Sequence, residues 1–259
     1  MGAASCRDLF KNMIAISDLD MAINKARPLW ESLQRLYQRL PQTGCQCEQP
    51  GVCCAFLPEM TWMEALQWTA LIQQMPAAAR AMILQKFLEF YLTNPLRPAG
   101  CPFLEDGACT IYELRPFACR AYGLWSPKFG KIRTQKSRQD RKALLQMWQK
   151  FGLELPPQTV ESEIDYCDQV RCAAEKSMSD SQLMDILQQI YGLDQALAAL
   201  QAKFESEYHS DFSFLIASLA LGYRKAVLGK FAVIKEMVQQ GTEERLEQML
   251  GRATAEVLG

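Results

Sequence analysis

The chain has 259 residues, of which 49% are hydrophobic and 22% are charged, and its formal net charge is −1 at pH 7. This length and composition are those of a globular protein with a substantial buried core, and they argue against a generally disordered chain. The near-zero net charge gives no overall attraction to nucleic acid or to an anionic membrane.

The first half of the chain is predicted to be mostly helical. Apolar residues recur at spacings of three and four, which predicts a helix over 17–40 that Pro41 ends. Thr61 and Glu64 form a capping-box pattern at the start of the next helix. Pro76 suits the first turn of a further helix, since its missing N–H costs nothing there.

The second half is also predicted to be helical, because apolar residues mark one face of each segment. The residues at 183, 187, 190, 197, 200 and 204 predict one long helix, and Gly229 is the expected place for a break in a later one. The remaining predicted helices cover 140–151, 211–239 and 242–258.

Two irregular stretches that contain cysteine, 42–58 and 97–127, lie between these helices. The sequence therefore predicts a mostly α fold, a helical scaffold that holds two irregular cysteine-rich metal-binding loops. We expect N-terminal helices over 1–41, a cysteine-cluster region with an intervening helical pair over 42–127, and a helical C-terminal region over 128–259 packed on the same core.

The sequence is expected to have no membrane span, since its longest apolar run falls short of the roughly 18–20 residues that cross a bilayer. Arg7, Asp8 and Lys11 interrupt the N-terminus, which is unlike a signal peptide. We therefore expect the protein in the cytoplasm, where clustered cysteines more often bind metal or take part in redox chemistry than form disulfides.

The chain contains ten cysteines and a single histidine, His209, so a mixed Cys/His zinc site is almost excluded. Several sulfur atoms on short loops that contain Gly and Pro can converge on one metal centre. The seven clustered thiols are the candidate metal ligands: Cys45, Cys47, Cys53, Cys54, Cys101, Cys109 and Cys119.

The spacing of these thiols differs from the C-x2-C pairs of zinc ribbons and ferredoxins. Cys53 and Cys54 are adjacent, and adjacent side chains tend to diverge, so the spacing favours a polynuclear cluster or one site with spare thiols beside it. Whether Cys167 and Cys172 add ligands to this site, or are ordinary buried cysteines, stays open.

The second cysteine stretch resembles the YkgJ-type cysteine-cluster proteins, also described as a zinc- or iron-chelating CxxCxxCC family. The motif in this sequence is C-P-F-L, then C-T-I-Y-E, then R-P and C-R, over Cys101 to Arg120. The resemblance extends over residues 42–125. It implies a bound metal, iron–sulfur or zinc, and no single activity.

The first cysteine stretch departs from the family's motif. It keeps the terminal pair Cys53 and Cys54, but its upstream thiols are Cys45 and Cys47. Which upstream thiol would bind the metal is therefore open.

The metal is expected to be an iron–sulfur cluster, of the 4Fe–4S type, with zinc as the alternative. Seven thiols exceed the four that one zinc ion needs, and iron–sulfur clusters favour ligation by cysteine alone. Arg115 and Arg120 flank the last clustered cysteine and are candidate cofactor-binding residues, because guanidinium groups would stabilise a negatively charged thiolate centre. An ion pair of Arg115 with Glu113 or Glu105 is the other interpretation.

A basic stretch over 128–142 holds seven Lys and Arg residues against one acid, Asp140. It is either a solvated surface or a site for an anionic partner. The sequence thus predicts an iron–sulfur or other metal-cluster protein with a redox or modification-related role, acting on a redox partner or protein substrate that the sequence does not identify. The alternative is a structural or metal-handling protein without catalysis, so no enzyme activity is assigned.

Overall fold

The computed structural model describes residues 14–45, 52–54, 56–97, 99–156, 170–172, 178–209 and 211–252. Helix makes up 71% of the structure and strand makes up 3%. This confirms the predicted mostly helical fold.

The N-terminal region has two helices where the periodicity predicted one. Helix α1 covers Ile16–Ala26, a 3₁₀ turn covers Arg27–Leu29, and α2 covers Trp30–Tyr37. The prediction of a continuous helix was wrong because Pro28 has no N–H to donate and its ring disrupts the preceding turn.

Helices α3 (Trp62–Gln74) and α4 (Ala77–Thr93) lie where the sequence predicts them. The capping box is present: the Thr61 hydroxyl accepts the Glu64 N–H, and the Glu64 carboxylate accepts the Thr61 N–H at 2.8 Å. Ten of the thirteen residues of α3 are buried, so this helix lies at the centre of the core.

The cysteine-bearing loop after α4 contains a minimal hairpin and a short helix. Strands β2 (Leu104–Glu105) and β3 (Ala108–Cys109) pair antiparallel, and α5 covers Phe117–Arg120. The next helix, α6, covers Pro127–Lys150. The predicted start at Asp140 was wrong, because Ser126 caps the helix and Pro127 occupies its first turn.

The C-terminal helices are α7 (Asp180–Asp194), α8 (Ala198–Glu207), α9 (Phe212–Leu221), α10 (Tyr223–Gln239) and α11 (Glu244–Arg252). The predicted long helix over 183–204 is interrupted by a 3₁₀ turn at Gln195–Leu197. The later break lies at Gly222, not at Gly229, since only Gly222 has a positive φ, of 80°.

The main core lies between α1, α3, α4 and the helices α7 to α9. It includes buried residues from each of the three predicted regions, for example Leu19, Phe87 and Leu183. The exact boundaries of these regions stay a prediction.

Among the described residues, no single helix combines the length and apolarity of a membrane span. Helices α9 and α10 meet that criterion only as a pair, by length and composition, and they are bent by 109° at Gly222.

A second small sheet joins two distant parts of the chain. Strand β1 (Thr43–Cys45) pairs antiparallel with β4 (Val170–Cys172), with Thr43 opposite Cys172 and Cys45 opposite Val170. The backbone after α6 therefore returns to the first cysteine stretch.

Candidate metal centre

Helix α3 is the platform on which the second cysteine loop rests. The Trp68 indole N–H donates to the carbonyl of Leu114 at 2.8 Å, and the Glu64 carboxylate accepts the backbone N–H of Phe117 at 2.5 Å. Both acceptor and donor groups of the loop are thus satisfied by side chains of a buried helix, which fixes the loop to the core.

Phe103 anchors the same loop, two residues after Cys101. Its ring is 1% exposed and makes edge contacts with Trp68 of α3 at 4.9 Å and with Phe87 of α4 at 5.4 Å, measured between ring centroids. Phe212 of α9 contacts Trp68 at 5.5 Å and Phe87 at 5.4 Å, so the four aromatic rings form one cluster of edge contacts. Edge-to-face pairs of this kind add stability beyond the buried area.

The two cysteine stretches meet through their backbones. The Cys101 N–H donates to the carbonyl of Cys54 at 2.6 Å, and the Leu104 N–H closes a turn on the Cys101 carbonyl at 2.8 Å. The β2–β3 hairpin then places Cys109 opposite Leu104. Cys54, Cys101 and Cys109, which are far apart or several residues apart in sequence, are brought together in this way.

The structure brings together five of the predicted thiols: Cys53, Cys54, Cys101, Cys109 and Cys119. The thiol of Cys53 hydrogen-bonds to that of Cys54. Cys101, Cys109 and Cys119 are close enough to Cys54 that their charges act on its thiol. Cys53 is exposed and the other four are half-buried.

The pKa values of these thiols reflect burial and the neighbouring sulfurs. Burial raises the pKa of Cys101 to about 11, and burial also raises the pKa of Cys119. The hydrogen bond between the adjacent thiols raises the pKa of Cys53 and lowers the pKa of Cys54. The hydrogen bond from Cys53 therefore favours the thiolate form of Cys54.

Glu64 connects the platform to the helix that carries Cys119. Its carboxylate is 2% exposed and accepts the Tyr37 hydroxyl at 2.5 Å in addition to the N–H groups of Thr61 and Phe117. A fully hydrogen-bonded carboxylate is the arrangement that a buried charge requires. The capping-box pattern predicted the bond to Thr61, but nothing in the sequence predicted the two distant partners.

The two predicted arginines have different surroundings. Arg115 lies within electrostatic range of Cys53 and Cys119, and its guanidinium lies 3.5 Å from the ring centroid of Tyr112. The guanidinium of Arg120 donates to the carbonyls of Glu113 and Arg115, and stacks on Tyr37 at 4.4 Å. Arg115 is thus placed to act on the thiols electrostatically, whereas Arg120 holds the loop together.

The expected partners of Arg115 differ from those observed. Glu105 forms an ion pair with Lys86 at 2.6 Å, and the Arg115 Nε donates to the carbonyl of Tyr112 at 3.0 Å. The roles of both arginines in cofactor binding stay predictions.

The remaining predicted thiols are described in part or not at all. The backbone of Cys45 lies in strand β1, and the backbone of Cys172 lies in strand β4. Cys47 and Cys167 lie outside the described residues.

Strand β4 also approaches the loop that follows Cys119. Gly123 has a φ of +78°, and a Cβ at this position would lie 2.4 Å from Cγ2 of Val170. A larger residue would therefore clash with β4, and its backbone would be strained in this conformation. This short distance shows that the β1–β4 sheet packs against the end of the second cysteine loop.

The donor set fits a soft metal in its chemistry. It consists of thiols, which bind zinc, iron–sulfur clusters and other thiophilic metals as thiolates. Among the described side chains, no three Cys, His, Asp or Glu are arranged to hold a single metal ion directly. The five thiols are neighbours, but they do not form a closed mononuclear site.

Fold and site together define a mostly helical protein with five neighbouring cysteines held on a buried helix. Residues 46–143 match the sequence model of the CxxCxxCC family, described as "Putative zinc- or iron-chelating domain". This match confirms the resemblance to the family that the sequence shows, over those residues. The match covers less than half of the chain and includes all five of the thiols that the structure brings together.

Comparison with curated proteins gave no match, and comparison with solved structures gave none either. The family domain is therefore the comparison that bears on this site.

Proposed function

We propose that the protein binds an iron–sulfur cluster of the 4Fe–4S type, with Cys54, Cys101, Cys109 and Cys119 as its ligands. The observation that carries the proposal is the convergence of these four thiols from separate points of the sequence onto one helical platform. Four cysteines are the ligand set of such a cluster. Cys53 is a further thiol at its edge, and Cys45 and Cys47 stay candidate ligands from the sequence.

The number of thiols favours a cluster over one zinc ion. A structural zinc site takes four thiolates in a tetrahedral arrangement. Cys53 hydrogen-bonds to Cys54, and Cys54 interacts electrostatically with Cys101, Cys109 and Cys119, so five thiols are neighbours. In a four-iron cluster each of four cysteine sulfurs binds a different iron, and a fifth thiol can lie beside the centre.

The surroundings of the thiols also suit a cluster. Ile111, Phe103 and Phe117 are buried beside the cysteines and give the site a wall of low polarity. Arg115 supplies positive charge near Cys53 and Cys119. Burial and nearby charge are the features through which a protein tunes the potential of such a centre.

A redox or modification-related role is the second part of the proposal. A bound iron–sulfur cluster would supply one-electron transfer or an iron site open to substrate. Cys53 is exposed, and a shallow pocket of about 280 Å³ opens beside Cys101. The centre is therefore accessible to a redox partner or a protein substrate, in a reducing compartment such as the cytoplasm.

The alternative is a structural zinc or iron site without catalysis. It is favoured by the way the site joins the two cysteine stretches, since Cys101 already bonds to the backbone of Cys54. A closed four-thiolate site would hold the two loops on the scaffold.

The test is metal and acid-labile sulfide analysis of protein purified without oxygen, together with its absorption spectrum. We expect iron and sulfide in equal amounts and broad absorption near about 400 nm. Cys→Ser variants at positions 54, 101, 109 and 119 should each lose most of the iron. The matched control is Cys6→Ser, which lies outside the family domain and should keep it.

Each other outcome overturns a part of the proposal. Colourless protein with stoichiometric zinc would support the structural alternative. Protein that binds neither metal after anaerobic reconstitution would contradict metal binding altogether. A cluster that cannot be reduced and reoxidised reversibly, and that leaves Cys53 unreactive toward thiol reagents, would contradict the redox role.

A further inference from the structure

Cys53 differs from the other four thiols of the site in its exposure. Cys53 is exposed, whereas Cys54, Cys101, Cys109 and Cys119 are half-buried. The proposed cluster takes its four ligands from the half-buried thiols, so it is complete without Cys53. The most accessible thiol of the group is therefore the one that has no place among the ligands.

The thiol of Cys53 contacts the proposed ligands through Cys54. The two thiols are hydrogen-bonded to each other. The charges of Cys101, Cys109 and Cys119 act in turn on the thiol of Cys54. Neighbouring sulfur atoms thus lead from the solvent to the half-buried part of the site.

The backbone keeps Cys53 beside the site while its side chain is exposed. Residues Val52–Cys54 form a 3₁₀ turn, and the carbonyl of Cys54 accepts the Cys101 N–H at 2.6 Å. This hydrogen bond attaches the turn to the second cysteine loop. The position of Cys53 at the edge of the site is therefore fixed by the same contact that joins the two cysteine stretches.

Soft metal ions move between neighbouring thiols by exchange of ligands. Zinc binds thiolates, and it can take a fifth ligand for the duration of a reaction. A metal ion that is held by one thiol can therefore bind a second thiol before it leaves the first. Such an exchange needs two thiols in contact, one of them open to solvent, and Cys53 and Cys54 meet both conditions.

We propose that Cys53 is the entry thiol of the metal centre, which binds an incoming divalent ion, Zn²⁺ or Fe²⁺, at the surface and passes it to Cys54. This inference rests on the proposed metal centre, because it assigns the way in which that centre is filled. Cys53 releases its proton to solvent as its sulfur binds the ion. Cys54 then releases its own proton and binds the ion, the bond to Cys53 breaks, and Cys53 takes a proton back from solvent. No electron is transferred, and the ion keeps its charge.

A permanent ligand and a redox switch are the other roles that an exposed thiol could have here. The four half-buried thiols already supply the ligands that a cluster or a zinc ion needs. A disulfide between Cys53 and Cys54 would require an oxidant, and it would remove Cys54 from the ligand set. Entry is the role that uses both the exposure of Cys53 and its contact with Cys54.

The contact between the two thiols sets the size of the expected effect. Groups that are joined by a short connection meet at an effective concentration in the mM range. A metal ion on Cys53 therefore meets Cys54 far more often than an ion supplied in solution at micromolar concentration does. Without Cys53, uptake should be slower by at least about tenfold. Release follows the same path in reverse, so it should be slower as well.

The test follows uptake and release of Zn²⁺ by the full-length protein, from which metal is first removed in the absence of oxygen. Uptake is measured by stopped flow with a zinc-sensitive dye, and release is measured with an excess of a strong chelator. We expect Cys53→Ser to bind as much zinc per chain as the unmodified protein, with uptake and release both slower by at least about tenfold. Cys53→His should recover part of both rates, because imidazole also binds zinc.

The matched control is Cys109→Ser, which is the same substitution at a half-buried thiol of the proposed ligand set. Loss of a ligand weakens binding, so this variant should release zinc faster than the unmodified protein. Both variants should keep the circular dichroism spectrum of the unmodified protein. The direction in which the release rate changes therefore separates an entry thiol from a ligand.

Two results would overturn the entry role alone. Unchanged rates in Cys53→Ser would show that the ion reaches the half-buried thiols without Cys53. Faster release or less bound zinc in Cys53→Ser would make Cys53 a permanent ligand. Failure of the unmodified protein to take up any zinc would instead contradict the metal centre itself, and this proposal with it.

Discussion

Glu64→Gln perturbs a buried carboxylate that joins the second cysteine loop to the helical scaffold. The carboxylate accepts hydrogen bonds from the Tyr37 hydroxyl, the Phe117 N–H and the Thr61 N–H. A glutamine has the same shape as the glutamate side chain, but one acceptor oxygen becomes an NH₂ group. That NH₂ group then faces a donor, either an N–H group or the Tyr37 hydroxyl. If Phe117 loses its acceptor, the short helix that carries Cys119 is no longer fixed to α3.

The magnitude follows from the bonds that are lost. Glu64→Ala leaves three buried donors unpaired, so we expect it to lower the free energy of unfolding by about 3–5 kcal/mol. The free energy of unfolding of a domain is about 5–15 kcal/mol, so the alanine variant would lose a large part of it and would not fold reliably. Glu64→Gln should cost about 1–2 kcal/mol and leave a folded protein to measure.

The assay combines urea unfolding with metal content and metal affinity. A matched control is Glu236→Gln, since Glu236 is also buried, at 7% exposed, and accepts the Thr242 hydroxyl at 3.0 Å and the Arg245 N–H at 3.2 Å. It joins the start of α11 to α10, and these hydrogen bonds do not involve the cysteine loops. We expect both variants to lose stability, and only Glu64→Gln to bind metal more weakly.

The reasoning would be refuted if Glu64→Gln lost as much stability as Glu236→Gln and still bound metal with unchanged stoichiometry and affinity. In that case Glu64 would stabilise the core without positioning the Cys119 helix.

Three further predictions concern the scaffold. Burial raises the pKa of Asp194 to about 7, and Glu64 and Glu205 add to the shift, so the folded state favours the protonated form. The free energy of unfolding should therefore fall as pH rises from about 4 to about 7. In urea titrations at several pH values Asp194→Asn should flatten this dependence, and an unchanged slope would contradict the prediction. Gly123→Ala should lower the midpoint of thermal unfolding more than Gly152→Ala, because both positions have positive φ but only Gly123 faces another group, and equal shifts would show that no clash occurs. Phe103→Ala and Phe212→Ala should each cost about 3–5 kcal/mol in urea unfolding, but only Phe103→Ala should also reduce bound metal; equal metal loss in both would count against a specific role of Phe103.

Local patterns in the sequence predicted those parts of the fold that depend on neighbouring residues. The start of α3 was predictable because Thr61 and Glu64 satisfy each other's backbone groups across one turn. The breaks at Pro28 and Gly222 were not predicted at the right places. Apolar periodicity continues across such breaks, since the same face of each helix packs on the same core.

The candidate site was predictable in its membership and not in its arrangement. The clustering of cysteines and the motif from Cys101 to Arg120 identified the segment that resembles the CxxCxxCC family, and the family match over residues 46–143 confirms that resemblance. The different surroundings of Arg115 and Arg120 were not predictable, because both flank Cys119 in sequence. Their partners are decided by the turn between Glu113 and Cys119 and by the ring of Tyr37.

The sequence by itself determined that this protein is helical and contains a cysteine cluster similar to that of the CxxCxxCC family, since helix periodicity, capping and a cysteine motif are local properties. Only the tertiary structure decided which groups hold that domain in place. Glu64 receives its bonds from Tyr37 and Phe117, 27 and 53 residues away. Strand β4 returns to the first cysteine stretch from more than 120 residues further along the chain. Such contacts depend on how the helices pack, because a buried polar group takes whichever partner the packing brings within reach.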